Sequence, residues 1–257
     1  MITSSSLNNF KSRFSNRADN YVRYRPGYPA PAFDLMEKLA SLNKVSSIVD
    51  IGSGTGLFSE PLLERGFSVT GVEPADEMRR AAEQRLARFS KFSSLPGTAE
   101  ETGIEENTVD LVTIAQTFHW LDHNLTRQEC QRILKAGGKV ALAWNQQHEE
   151  SEFEKEYTKL RETYRLYPPV ATVIDEKLIH EFFSDGSIER FVFPNPQVLN
   201  FESLKGQLLS KSYSPLPGHE SYETMINHLI RLFVRSNDNG FVTLNYETVV
   251  YCGELAS

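Results

Sequence analysis

The stretch IVDIGSGTGLF, residues 48–58, restricts the fold more than any other part of the chain. A short β-branched apolar run, the pattern of a strand buried on both faces, passes directly into glycines at 52, 54 and 56 and then into apolar residues at helical spacing. A strand–glycine–helix turn of this kind points backbone N–H groups and a helix N-terminus at whatever lies across the strand end. The pattern continues. FSVTGVEP reads as the next strand, ADEMRRAAEQRLARF as a helix, TVDLVTIAQ as a strand, HNLTRQECQRILKAGG as a helix closed by its two glycines, and KVALAWN as a strand. This alternation over residues 46–145 predicts a parallel, doubly wound α/β sheet.

Beyond it the periodicity changes. SEFEKEYTKLRETYRL, DEKLIHEFF, FESLKGQLLSKSY and ESYETMINHLIRLFVRS carry helical apolar stripes, and FVTLNYETVVYCGEL supplies a closing strand after the turn signal NDNG. No long polar linker separates the two halves, so one domain over 1–257 is expected, with a helical lid over 149–240 and the closing strand over 241–252. A net charge of −7 argues against a nucleic-acid phosphate binder, and no run reaches the apolar length of a membrane span. The Ser- and Asn-rich N-terminus lacks the apolar core of a signal peptide, and two distant cysteines, Cys130 and Cys252, make no disulfide framework; a cytoplasmic protein is expected. His119 and His123 stand four apart, but no third ligand or HExxH pattern accompanies them, so no metal is expected.

Glycines alone fit an ordinary tight turn. An acidic residue tips the balance: Glu73 ends the second strand, 21 positions after Gly52, where a carboxylate can accept both hydroxyl protons of a ribose. The ligand read from this pair is a nucleoside derivative. The third glycine falls one place early for a dinucleotide G-x-G-x-x-G, which disfavours a nicotinamide-dependent dehydrogenase, and no Lys follows as a triphosphate loop requires.

VDIGSGTG instead resembles motif I of the class I S-adenosylmethionine-dependent methyltransferases. VTGVEPADEM, GTAEETGIEENTVDLVTIAQTFHWLD and RILKAGGKVALAWN resemble that family's later motifs in the family's order, and YVRYRPGYP resembles an N-terminal segment of a small-molecule subgroup similar to trans-aconitate methyltransferase-like proteins. The resemblance implies a Rossmann-like sheet of seven strands with the last inserted antiparallel, and S-adenosylmethionine across the strand ends. It divides the domain into a cofactor-covering segment at about 1–30, a cofactor-binding core at 46–145, the lid and the closing strand. It also implies roles. Gly52, Ser53 and Gly54 pass under the methionine part, Asp50 orients the loop or reaches the amino group through water, and Glu73 holds the ribose. Met78 lies near the adenine, Thr98, Ala99 and Glu100 form the adenine-edge loop, and Gln116 lies near the methyl group. Tyr21 and Arg25 close over the cofactor, with Arg25 available to its carboxylate.

The implied chemistry is in-line displacement at a sulfonium methyl, helped by aromatic faces, for which Tyr21, Phe118 and Trp120 are nearest by motif. His119 is the candidate base if the acceptor must lose a proton, its ordinary pKa lying near neutrality; a packing role for FHW is the competing reading. The expected function is methyl transfer to a small-molecule acceptor. The alternative is an inactive protein that binds S-adenosylmethionine or S-adenosylhomocysteine as a sensor or partner subunit.

Overall fold

The computed structural model describes residues 23–168, 175–184 and 187–256. Its centre is a sheet built from β1 (Ser47–Ile51), β2 (Ser68–Val72), β3 (Phe92–Leu95), β4 (Val109–Ala115), β5 (Leu134–Gln147), β6 (Ile188–Pro194) and β9 (Tyr246–Gly253), in the order β3-β2-β1-β4-β5-β9-β6. A separate ribbon pairs β7 (Gln197–Leu199) with β8 (Val242–Leu244). The first five strands run parallel; β9 enters between β5 and β6, antiparallel to both. This is the α/β methyltransferase-type sheet that the sequence predicts, with its seventh strand reversed.

Strand periodicity divides the core. Val49, Ile51, Val112, Ile114, Leu142 and Val249 turn to one face, under α4 (His123–Ile133) and α6 (Glu176–Phe183). Ile48, Val69, Leu111, Ala141 and Val250 turn to the other, under α1 (Ala30–Leu39), α2 (Ser59–Glu64) and the Leu86 end of α3 (Asp76–Leu86). Both faces are covered, which is why the central strands are apolar throughout rather than alternating. A third cluster joins α5 (Glu152–Thr163), α7 (Phe201–Leu209) and α8 (Tyr222–Ser236) with the β7–β8 ribbon, through Tyr157, Leu204, Leu208, Met225 and Leu229. Capping side chains start several of these helices: Asp122 accepts from the Leu125 N–H, Asn200 from Ser203, and Ser151 forms a capping box with Glu154.

Four expectations change. The helix over 123–138 stops at Ile133, and the stretch holding both glycines is the irregular start of β5, whose register shifts against β4. The stretch 149–240 is not helical throughout. It contains β6, an edge strand whose charged Glu189 and Arg190 and half-exposed Val192 hide the strand period. Helix α6, read as part of the lid, buries Ile179, Phe182 and Phe183 against the sheet instead. The closing strand divides at Asn245 into β8 and β9.

Candidate functional site

At the carboxyl ends of β1, β2 and β4 a cleft is lined by the glycine loop, Glu73, Met78, Gln116 and Trp120, with Tyr28 and Phe58 adding aromatic surface. Gly52, Gly54 and Gly56 all have positive φ, at 66°, 55° and 77°. A Cβ on Gly52 would stand 2.8 Å from the Thr117 side chain, and one on Gly56 would stand 2.6 Å from Leu86 Cδ1. Those two glycines therefore admit the protein's own β4 loop and α3. At Gly54 the nearest side-chain atom is Met78 Cε at 3.6 Å, so this position is the one open to a ligand.

Glu73 is buried at the end of β2. Its Oε2 accepts the Gly54 N–H at 3.0 Å and its Oε1 the Ala75 N–H at 2.8 Å. Each carboxylate oxygen can accept a second donor, so the pair can take the two hydroxyls of a ribose while holding the loop beneath it. Asp50 lies on β1 with its carboxylate between Ser59 Oγ (2.6 Å) and Thr113 Oγ1 (2.8 Å). Burial, opposed by those two bonds, pushes its pKa up to about 6, and the charge of Glu73 adds to the rise. Asp50 thus braces α2 and β4 against β1 while lining the cleft. Gln116 has φ +61°, a conformation that costs a non-glycine residue energy; its N–H bonds the Ala143 carbonyl at 2.9 Å and its Nε2 donates to the Asn145 carbonyl at 3.3 Å.

Of the residues assigned to the site from sequence, Asp50, Gly52, Ser53, Gly54, Glu73, Met78 and Gln116 line this cleft. Others do not. Thr98 turns back onto Glu101 through its N–H, Ala99 is buried in the core, and Glu100 accepts the Asp122 N–H ahead of α4. Arg25 points elsewhere too: its Nη2 donates to the Ser210 carbonyl at the end of α7. Tyr21 lies outside the described residues. Phe118 is buried against Trp144 and Phe182 and stacks on His123, whose Nε2 meets the Phe118 carbonyl at 3.0 Å.

His119 sits in a single 3-10 turn, Phe118–Trp120, tilted against Trp120, which lines the cleft; His119 itself is not among the lining residues. Its Nδ1 has no hydrogen-bond partner among the described residues, and burial lowers its pKa to about 4. A ring that holds a proton so weakly is a poor base near neutrality. Sequence reading passed over Tyr28, Phe58 and Thr117. Tyr28 was within reach, since it stands in the same YRPGYP segment that drew attention to Arg25.

Residues 49–142 match a family model described as a methyltransferase domain. Over those residues the chain is similar to a domain whose methyl donor is S-adenosylmethionine. An uncharacterized methyltransferase of Mycobacterium tuberculosis is 36% identical over 53% of this chain and 53% of its own length, so the chain spans about half the length of that relative. An uncharacterized methyltransferase of Schizosaccharomyces pombe is 25% identical over 94% of this chain and 96% of its own. A solved chain provisionally described as a type II methyltransferase, from Anaeromyxobacter dehalogenans, superposes with a TM-score of 0.65 at 18% identity, covering 90% of this chain and 98% of that one. This last likeness shows the shared fold.

Proposed function

We propose that the chain transfers the methyl group of S-adenosylmethionine to a small-molecule acceptor. The observation that carries this reading is the cleft itself: the Gly52–Gly56 loop, whose Gly54 packs on no large side chain but Met78, a buried carboxylate at Glu73 that holds the Gly54 and Ala75 N–H groups, and Gln116 held in a strained backbone. When bound, S-adenosylmethionine supplies an already activated methyl group. Glu73 holds and orients, Met78 and Phe58 exclude water, and Tyr28 and Trp120 offer aromatic faces to a cation. A small acceptor is supported by the net charge of −7 and by the cap of α5, α7 and α8. His119, whose pKa burial lowers to about 4, suits an acceptor that needs no base from this residue.

Calorimetry with S-adenosylhomocysteine and with NAD tests the cofactor; tight binding of NAD alone would end this reading. Transfer of labelled methyl from S-adenosylmethionine to a panel of carboxylates, phenols and amines tests the reaction. Binding of S-adenosylhomocysteine with no transfer to any of them would favour the sensor or partner-subunit alternative.

A further inference from the structure

Gly206, inside α7, is a glycine that no backbone requirement explains. It is buried in mid-helix without a positive φ, where glycine weakens a helix relative to alanine. What it admits is a ring: a Cβ at this position would overlap Cγ, Cδ2 and Cε2 of Tyr24. The missing side chain is a notch, and Tyr24 fills it. Two further bonds tie the same stretch to the cap. Gln197 Nε2 of β7 donates to the Tyr24 carbonyl at 3.0 Å, and Arg25 Nη2 donates to the carbonyl of Ser210, the C-cap of α7, at 3.3 Å.

A few residues on, Tyr28 lines the cofactor cleft, its ring edge-on to Phe58 with centroids 4.7 Å apart. The connection between the two tyrosines is stiff. Pro26 and Pro29 lock their own φ angles and confine the residues before them, Arg25 and Tyr28, to extended backbone. Gly27 alone between them lacks such a restraint, and its carbonyl is taken twice: Asn145 Nδ2 donates to it at 2.9 Å and Asn195 Nδ2 at 2.8 Å. A Cβ on Gly27 would meet nothing within 4 Å, so hydrogen bonds rather than packing hold this joint. Asn145 also receives Gln116 Nε2 on its own carbonyl, at the wall of the cleft. A short strut thus runs from a notch in the cap to an aromatic face of the cofactor site. No residue of α7 lines that cleft, and the strut is a covalent path between them.

We propose that Tyr24 is a positioning residue that couples the cap to the cofactor cleft. Seated in the Gly206 notch, its ring fixes one end of the strut, and Tyr28 at the other end is thereby held against the bound cofactor. The coupling is reciprocal: a cofactor that fixes Tyr28 tightens α7, and an acceptor that tightens α7 strengthens the hold on the cofactor. The inference rests on the methyltransferase reading above and adds to it a link between its two binding events.

The test is amide hydrogen exchange on the full chain, with and without saturating S-adenosylhomocysteine, read at amides 206–210. Calorimetry on the same samples establishes that the ligand is bound. In the wild type the ligand should slow exchange there at least about fivefold, the low end of ordinary coupling between sites. Y24A should lose that slowing at full saturation, and Y24F, which keeps the ring, should retain it. G206A, which forces the ring out of the notch, should behave as Y24A does, and it serves as the second variant if Y24A does not fold. A role for Tyr24 in stability alone would raise exchange by the same factor with and without ligand, leaving the slowing as in wild type. That result, or a wild type whose exchange at 206–210 does not respond to bound ligand, overturns the inference and leaves the methyltransferase reading standing. A wild type that does not bind S-adenosylhomocysteine removes both.

Discussion

Glu73 does two jobs with one carboxylate, and its removal should show both. Glu73→Ala takes away the acceptor for the Gly54 and Ala75 N–H groups as well as the proposed ribose ligand. S-adenosylhomocysteine should bind about 1.5–3 kcal/mol more weakly by calorimetry, the range for hydrogen bonds to a charged group. Wild-type affinity in this variant would remove Glu73 from the site. Asp50 and His119 make a second case, because their titrations oppose each other. Asp50 rises from 3.8 to about 6 on folding, so the folded state holds its proton more tightly and stability falls as pH climbs from about 4 to 6. His119 falls from 6.5 to about 4, so the unfolded state takes up the proton first and stability rises as pH climbs through about 4 to 6.5. The two largely cancel in the wild type. Asp50→Asn, which keeps the shape, should make urea midpoints climb more steeply between pH 4 and 6, and His119→Gln should make them fall. Parallel profiles for all three proteins would show that neither group titrates as its burial implies.

At the scale of elements, the β1–α2 turn is fixed by packing on both sides of the ligand position. Gly56 admits Leu86 of α3 and Gly52 admits Thr117 after β4, so the turn joins the ends of β1 and β4 to α3. Gly56→Ala should lower unfolding stability by about 1–3 kcal/mol, the cost of a non-glycine residue held at positive φ, read from denaturant midpoints. An unchanged midpoint would mean that the turn can adopt another conformation. Gly54 also has positive φ, but a Cβ there would stand 3.6 Å from Met78 Cε, so the same substitution should cost less stability than at Gly56, where Leu86 must also move, and more S-adenosylhomocysteine affinity. Strands β1, β2, β4 and β5 and helices α2 and α3 were legible in sequence because β-branched runs and glycine punctuation are local signals, whereas α1 and the short β3 were not read. The edge strand β6 was not, because its one-sided pairing leaves charged residues in the pattern.

Across the whole molecule, the segment around residues 24–28 ties the two halves together. Asn145 Nδ2 donates to the Gly27 carbonyl at 2.9 Å, Asn195 Nδ2 to the same carbonyl at 2.8 Å, and Gln197 Nε2 to the Tyr24 carbonyl at 3.0 Å. Tyr28 then faces the cofactor cleft while Arg25 faces the cap. The cofactor-covering segment expected at about 1–30 falls largely outside the described residues, but its inner part is testable. Asn145→Ala should raise hydrogen exchange at amides 24, 25, 27 and 28 about fivefold, as expected for losing a bond worth about 1 kcal/mol, and S-adenosylhomocysteine should restore part of the protection. Exchange unchanged by the mutation would show that the clamp carries no weight. The sequence by itself determined the doubly wound sheet, its glycine turn and the Glu73 position, because each depends on residues within one βα unit. It could not determine that Arg25 joins the cap, that Glu100 meets the start of α4, or that His119 is half-buried. Those outcomes depend on neighbours up to 185 positions away, as the Arg25–Ser210 contact shows, and a group's charge and direction are set by such neighbours rather than by its own place in a motif.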